Sequence, residues 1–231
     1  MHYFLDTCVE LGYVFCTDPW NDKSVKVFDD NDYLHYSYCV DKEFDKKYKG
    51  FLKEQKNLFY SLRDELKIEN PDKTLSLDTL ILKSQIINLK RDFNEDKKEK
   101  CVEIFWEFCK PKHEYDADLK VDVCKVQDLL NHISRFIRSF ERGIKNRRFD
   151  FERKVIYHSK RSKKYSKLLK ELDNNNIHYP DNCIILDAHD ISLNDNLDLE
   201  FVTADNNMII NANNILNLLN IQKFHYLKEY C

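Results

Sequence analysis

Glycine and proline are almost absent from this chain. Its 231 residues include only 3 glycines and 4 prolines, whereas an average protein contains about 7% and about 5% of these residues. Glycine supplies the positive-φ turns of β-rich folds and lets backbone approach bound phosphate closely. The scarcity therefore excludes a collagen-like chain, argues against an all-β sandwich and leaves no glycine-rich loop to hold phosphates.

Short runs of β-forming residues alternate with helical segments at both ends of the sequence. Such runs occupy 2–5, 33–38, 199–203 and 224–227, and a proline followed by Asp181 predicts the start of a helix. Strand, helix and strand in repetition imply right-handed crossovers and a parallel sheet. We therefore expect an α/β fold.

The middle of the chain has a different pattern. From 46 to 174 the apolar residues recur three and four positions apart, which is typical of consecutive helices. We expect one domain that is split into 1–45 and 175–231 and carries a large all-helical insertion over 46–174. The apolar row from Leu119 to Ile144 is long enough for a helical pair, so we expect a homo-oligomer.

The cysteines and the apolar segments bear on location. The 8 cysteines include no Cys-x-x-Cys pair, so neither a structural zinc site nor a secreted disulfide scaffold is expected. The start of the chain lacks the pattern of a signal peptide, and no stretch approaches the ~20 apolar residues of a membrane helix. These features predict free thiols, a cytoplasmic protein and no membrane partner.

Four acids occupy corresponding places around the predicted sheet. Asp6 and Asp205 follow strands, Asp181 opens a helix, and Glu43 lies in the first turns of the helix after the second strand. The carboxyl ends of parallel strands meet at one edge of a sheet, where such folds bind ligands, so these side chains should converge. Converging carboxylates repel one another unless a cation such as Mg²⁺ or Mn²⁺ compensates them. Such an ion activates water and stabilises the leaving oxygen of a phosphodiester.

The residues around these acids resemble those of the PIN-domain nucleases, the family that includes the VapC toxins. Members open with an apolar strand ending in Asp-Ser or Asp-Thr, place a second acid after a strand and a small polar residue, open a helix with a third, and end a strand in Thr-x-Asp. The corresponding segments here are FLDT at 4–7, SYCVDKE at 37–43, DNCIILDA at 181–188 and FVTAD at 201–205. The resemblance covers both ends of the chain and leaves the middle uninterpreted.

The resemblance implies a Mg²⁺- or Mn²⁺-dependent endoribonuclease. It implies that water attacks the scissile phosphorus and that the products carry 5′-phosphate and 3′-hydroxyl ends. A VapC-type member would also have a protein antitoxin as partner. The ligands would be Asp6, Glu43, Asp181 and Asp205, oriented by Thr7, Thr203 and Asn207.

The third ligand has an alternative in Asp187. The stretch from Ala188 to Thr203 is longer than is usual in the family, which leaves both acids open. We favour Asp181, because Asp187 lies six positions further along the helix, about 9 Å of rise away from the strand ends.

A basic stretch over 135–170 predicts contact with RNA. It holds 14 lysines and arginines against three acids, with aromatic residues between them. Basic side chains neutralise phosphates, and exposed aromatic rings stack on unpaired bases. The alternative is a solvated helix face whose aromatic rings point into the core. The predicted RNA-binding residues are Arg138, Arg142, Lys145, Arg147, Arg148, Arg153 and Lys154.

Other functions remain open at this point. A structure-specific DNA nuclease would use the same acids, and a catalytically silent PIN-like scaffold or oligomerisation protein would keep the fold without the chemistry. Four histidines are candidate acids or bases. None of them has a recognisable ligand spacing, so we expect structural or surface roles for His158, His178, His189 and His225.

Overall fold

The computed structural model describes residues 1–88, 94–159 and 165–230. The strands of these segments are β1 His2–Leu5, β2 Leu34–Ser37, β3 Thr74–Ser76, β4 Glu114–Asp116, β5 Val121–Lys125, β6 Ile156–His158, β7 Leu199–Thr203 and β8 Lys223–Tyr226. The α-helices are α1 Thr7–Val14, α2 Asn21–Asp30, α3 Tyr38–Leu66, α4 Leu77–Asn88, α5 Glu95–Cys109, α6 Val126–Lys154, α7 Ser166–Asn174, α8 Asp181–Asp195 and α9 Asn206–Leu216. Short 3₁₀ turns cover Lys110–Lys112 and Leu227–Glu229. None of the helices described is long and apolar enough to cross a membrane.

The chain divides into two units. The first unit contains Met1–Tyr48 and Asn146–Cys231, and the second unit contains Lys49–Lys145. The predicted insertion over 46–174 is longer than the second unit, because β6 pairs with β2 and belongs to the sheet of the first unit. Residues 146–174 therefore belong with the two ends of the chain.

A parallel sheet forms the centre of the first unit, which confirms the predicted α/β class. In the described residues its strand order is β6-β2-β1-β7-β8, and every neighbouring pair is parallel. Phe4 of β1 and Phe201 of β7 are fully buried and stack with ring centroids 5.4 Å apart. Burial on both faces explains why these strands are almost continuously apolar.

The strand order reverses beside β1. The chain adds β2 and β6 on one side of β1 and then β7 and β8 on the other side. The reversal opens a crevice at the carboxyl ends of β1 and β7, and this crevice is where open α/β sheets bind their ligands. Asp6 and Asp205 cap the helices that leave these two strands, α1 and α9.

The second unit is not all-helical, so that part of the prediction was wrong. It contains a three-stranded antiparallel sheet with the order β3-β5-β4. Leu119, the first residue of the predicted helical row, is 66% exposed in the turn between β4 and β5. Asp116 stabilises this turn, because its Oδ1 accepts hydrogen bonds from the backbone N–H groups of Asp118 and Leu119.

The apolar row proposed for a dimer begins later than predicted and is buried in the second unit. Its helix, α6, starts at Val126, and Ile133, Ile137 and Ile144 are all buried. Phe136 packs in the same core, with its ring centroid 4.7 Å from that of Phe59. The row is therefore covered by the chain's own helices, and it does not support the predicted homo-oligomer.

Candidate active site

Asp6 is the most buried of the four predicted acids and lies directly after β1. Its Oδ1 accepts a hydrogen bond from the backbone N–H of Thr7 at 2.7 Å. Its Oδ2 accepts from the Thr203 hydroxyl at 2.7 Å and from the Cys8 thiol at 3.1 Å. Burial raises the pKa of Asp6, the bonds from Thr203 and Cys8 oppose this rise, and the charge of Glu43 adds to it. Both oxygens are held, so the carboxylate has a fixed orientation.

Glu43 reaches the same place from α3. Its Oε2 accepts a hydrogen bond from the Thr7 hydroxyl at 2.7 Å, and its Oε1 forms an ion pair with the Lys47 ammonium at 2.5 Å. Thr7 thus holds Glu43 through its hydroxyl and Asp6 through its backbone. Lys47 was missed by the sequence analysis, although a glutamate four positions before a lysine on a helix predicts such a pair.

Asp205 lies at the end of the neighbouring strand, β7. Its backbone N–H donates to the Thr203 hydroxyl at 2.9 Å, and that hydroxyl in turn donates to Asp6. The Asp205 Oδ1 accepts from the backbone N–H groups of Asn207 and Met208 at 2.6 and 3.3 Å. Thr203 therefore connects two of the acids, as predicted for a residue that orients them.

Asn207 orients Asp205 through its backbone alone. Its side-chain amide donates instead to the carbonyl oxygen of Asn176 at 2.7 Å. Cys8, which the sequence analysis did not single out, accepts a hydrogen bond from the backbone N–H of Ala204 at 2.9 Å while its thiol donates to Asp6. This thiol joins the residues that follow β1 to those that follow β7.

Asp181 completes the group as the first residue of α8. Burial, together with the charges of Asp6, Glu43 and Asp205, raises its pKa to about 7, and the charge of Lys47 opposes the rise. The three acids that act on Asp181 are the other three predicted ligands. Thr7 joins Asp6 to Glu43 and Thr203 joins Asp6 to Asp205, so four carboxylates from distant parts of the sequence converge at the edge where the strand order reverses.

Asp187 lies elsewhere in the first unit. It is the seventh residue of α8, and its charge acts on Cys183 and Tyr157. It is not among the charges that shift the pKa of Asp181 or Asp6. Asp181, and not Asp187, is thus the acid of α8 on which the other three acids act.

The donor set suits a hard divalent cation, although the present side-chain positions do not form a complete ligand set. Among residues 1–88, 94–159 and 165–230, no group of three His, Cys, Asp or Glu side chains is arranged to hold a metal ion. Carboxylate oxygens are nevertheless the ligands that Mg²⁺ and Mn²⁺ prefer, and a cation would offset the repulsion that adds to the effect of burial on the pKa of Asp181. At present Lys47 supplies the compensating charge, and the two threonine hydroxyls occupy one oxygen each of Glu43 and Asp6.

The basic stretch is partly neutralised by its own surroundings. Arg148 forms ion pairs with Asp45 at 2.8 Å, Glu152 at 2.8 Å and Asp41 at 3.6 Å. Its guanidinium also lies over the Phe44 ring, 4.8 Å from the centroid. A cation that is surrounded in this way stabilises the first unit and has little charge left for RNA.

The other predicted RNA-binding residues differ in their contacts. Arg138 and Arg142 are exposed and have no ion pair in the described chain, and Lys145 pairs with Glu141 at 3.0 Å. The remaining three residues lie over aromatic rings: Arg147 over Tyr13, Arg153 over Phe149 and Lys154 over Phe28, whose carbonyl oxygen Lys154 also contacts. The bases at 160, 161, 163 and 164 lie outside the described residues.

The aromatic residues of this stretch divide between core and surface. Phe149 and Tyr157 are exposed, whereas Tyr165 is half-buried and donates a hydrogen bond to Asp190. The other three, Phe136, Phe140 and Phe151, are buried. Only the exposed rings are accessible to a base.

The histidines make contacts away from the acids. His178 lies 3.5 Å from Asp173, and the His189 Nδ1 accepts from the backbone N–H of Asn220 at 2.7 Å. His225 contacts Glu200 at 2.5 Å, and His158 contacts His35 at 2.9 Å. None of these contacts involves the four converging acids.

Comparison with known proteins identified no relative. No protein-family model, curated protein or solved structure matches this chain.

Proposed function

We propose that this protein is a Mg²⁺- or Mn²⁺-dependent endoribonuclease with a PIN-like active site. The observation that carries the proposal is the convergence of Asp6, Glu43, Asp181 and Asp205 beside β1, where the strand order reverses. Carboxylates this close together repel one another and destabilise the fold. A bound divalent cation relieves the repulsion and also binds the phosphate of a substrate. The choice of RNA and the family assignment rest on the sequence resemblance.

The four acids would hold the cation and the neighbouring side chains would orient them. When bound, such a cation lowers the pKa of a water ligand and neutralises charge on the phosphate. Thr203 fixes Asp6, Thr7 fixes Glu43, and Lys47 balances the charge of Glu43 before metal and substrate arrive.

The proposed reaction is hydrolysis. The water oxygen forms a bond to phosphorus while the bond from phosphorus to O3′ breaks. The water loses one proton and O3′ gains one, so the products are a 5′-phosphate and a 3′-hydroxyl. No side chain has to form a covalent intermediate.

The test is cleavage by isosteric variants of the acids. Purified protein should cut single-stranded or structured RNA with Mn²⁺, and EDTA should stop the reaction. Asp6→Asn, Asp181→Asn and Asp205→Asn should each lower the rate at least about 100-fold, because even residues that only support metal ligands contribute 10- to 100-fold. Asparagine is as good a helix cap as aspartate, so the caps of α1 and α9 survive in two of these variants.

Asp187→Asn is the matched control, because it alters the same type of residue in the same helix outside the cluster. It should cut at the wild-type rate, and circular dichroism melting should show that all the variants fold. DNA of the same sequence tests the alternative substrate. The proposal fails if the Asp6→Asn and Asp205→Asn proteins still cut, or if the wild type leaves every RNA intact with Mn²⁺.

A further inference from the structure

A pocket of about 650 Å³ adjoins the four acids. The first turns of α3 form one wall, and the residues that lead into α8 form the other. Glu43 lines the pocket and is also one of the four acids. Tyr179 and Pro180, which line the pocket as well, immediately precede Asp181. A chain bound across the acids would therefore continue into this pocket.

The α3 wall carries two lysines that form no ion pair with any described residue. Lys42 and Lys46 are exposed and lie one helical turn apart. In the part of the chain that the structure describes, neither forms an ion pair, whereas Lys47 pairs with Glu43. The other acids of this part of α3, Asp41 and Asp45, pair with Arg148 instead. The two lysines thus present positive charge to whatever enters the pocket.

The opposite wall carries an exposed aromatic ring. Tyr179 is 80% exposed and makes no ring contact or hydrogen bond with any other described residue. A second ring, Tyr38, lines the same pocket and lies under the Lys42 ammonium, 5.3 Å from it. Aromatic rings beside cationic groups are the combination that binds unpaired nucleic acid, since the rings stack on bases while the cations contact phosphates.

We propose that this pocket binds a single-stranded stretch of RNA next to the scissile phosphate. Lys42 and Lys46 contact the phosphates, and an unpaired base stacks on Tyr179. A base within a duplex is stacked between its neighbours, so only unpaired RNA presents a face to this ring. The inference rests on the proposed function, which places the scissile phosphate at the four acids. It adds that the substrate is unpaired there and names the residues that bind it.

Binding is tested separately from cleavage, with the full-length protein in EDTA. Fluorescence anisotropy measures the affinity for a labelled single-stranded RNA and for the same sequence annealed to its complement. The wild type should bind the single strand more tightly. Tyr179→Ala should weaken that binding roughly 5- to 150-fold, whereas Tyr179→Phe, which keeps the ring, should bind like the wild type. Tyr33→Ala is the matched control, because Tyr33 is also exposed but precedes β2, at the opposite edge of the sheet.

The lysines are tested through the salt dependence of binding. The double variant Lys42→Gln/Lys46→Gln should lower the slope of log K against log salt by about 1.4, since each phosphate contact on a single strand contributes about 0.7. Lys26→Gln, which alters an exposed lysine of α2, should leave the slope unchanged.

The two proposals can fail independently. If Tyr179→Ala binds single-stranded RNA as well as the wild type does, if the double lysine variant keeps its slope, or if duplex RNA binds equally tightly, the pocket proposal is overturned even when the protein cleaves RNA. If binding depends on these residues but Mn²⁺ produces no cleavage, the pocket proposal stands and the nuclease proposal fails.

Discussion

Glu10 is a buried carboxylate without a hydrogen-bond partner. It lies in α1 with 1% of its surface exposed, and neither of its side-chain oxygens is hydrogen-bonded to any described residue. Burial raises the pKa of Glu10 well above its usual value; the charge of Arg148 opposes the rise, and those of Asp41, Glu152 and Asp45 add to it. Arg148 cannot compensate Glu10 fully, because it already pairs with these three acids. Glu10 therefore favours its neutral form in the folded protein.

Replacing Glu10 should stabilise the protein, and most strongly at high pH. The folded state keeps a proton that the unfolded state releases above about pH 4.5, so this residue's contribution to stability is lost as pH rises. Glu10→Met removes two unpaired oxygens and should raise the free energy of unfolding by about 1–3 kcal/mol at neutral pH. Glu10→Gln stays uncharged at every pH, so urea unfolding should show its advantage over the wild type growing as pH rises above about 4.5.

Glu54→Gln, which changes an exposed glutamate of α3, should unfold like the wild type at each pH. If the free energies of unfolding of the wild type and Glu10→Gln change in parallel over this pH range, Glu10 is charged in the folded protein.

At the scale of secondary structure elements, a chain of histidines joins three neighbouring strands. His2 of β1 contacts His35 of β2 at 2.9 Å, and His35 contacts His158 of β6 at 2.9 Å through its other ring nitrogen. Each contact needs one protonated and one bare nitrogen, which neutral rings supply. Burial, together with the charges of His158 and His2, lowers the pKa of His35 to about 4, and the charge of Asp195 opposes them.

The histidine chain should make the sheet sensitive to acid. His35 has a lower pKa in the folded state than in the unfolded state, so the unfolded protein gains the extra proton and stability falls as pH drops from about 6.5 towards 4. The loss would reach on the order of 3 kcal/mol. Leucine is an apolar residue that suits a buried parallel strand. In urea unfolding, the His35→Leu variant should therefore lose less stability than the wild type between about pH 7.5 and 4.5.

His178→Gln should lose as much stability as the wild type when the pH falls, since 67% of the His178 side chain is exposed. An equal loss of stability in His35→Leu and the wild type would assign the acid sensitivity to other groups.

The elements that could be predicted from sequence are those with a local signal. The strands at 2–5 and 199–203 are apolar runs bounded by polar residues, and their positions were sufficient to place Asp6 and Asp205 at one edge of a parallel sheet. β3, β4 and β6 have three residues each, which is too few for alternation to appear, and their pairing depends on residues far away in sequence.

The site was only partly predictable for the same reason. The acids follow from the ends of predicted elements, but the link from Thr7 to Glu43 spans 36 positions and the link from Thr203 to Asp6 spans 197. The burial of Glu10 likewise depends on how α1 packs, because nothing in the local sequence distinguishes this glutamate from a solvent-exposed one.

At the scale of the whole molecule, near-neutrality conceals an uneven distribution of charge. The chain has 37 basic and 40 acidic residues, yet 135–170 holds 14 of the bases and three of the acids. Internal pairing removes part of this excess, since Arg148 is surrounded by carboxylates and Lys145 pairs with Glu141. What remains for a polyanion in the second unit includes Arg138 and Arg142, four positions apart on α6 and exposed.

Neutralising those two arginines should weaken RNA binding without disturbing the fold. Arg138→Gln/Arg142→Gln should lower the salt slope of single-strand binding by about 1.4 and reduce affinity equally for different sequences, because phosphate contacts carry no sequence information. Arg148→Gln should instead lower the melting temperature, because it leaves three carboxylates without their cation. The folded variant should keep the wild-type salt slope of RNA binding. Anisotropy titrations between about 50 and 200 mM KCl, with melting curves of each variant, measure both effects. If instead Arg148→Gln lowered the slope and the double variant did not, Arg148 would have to leave its three acids to bind RNA, and the basic stretch would act through a rearranged first unit.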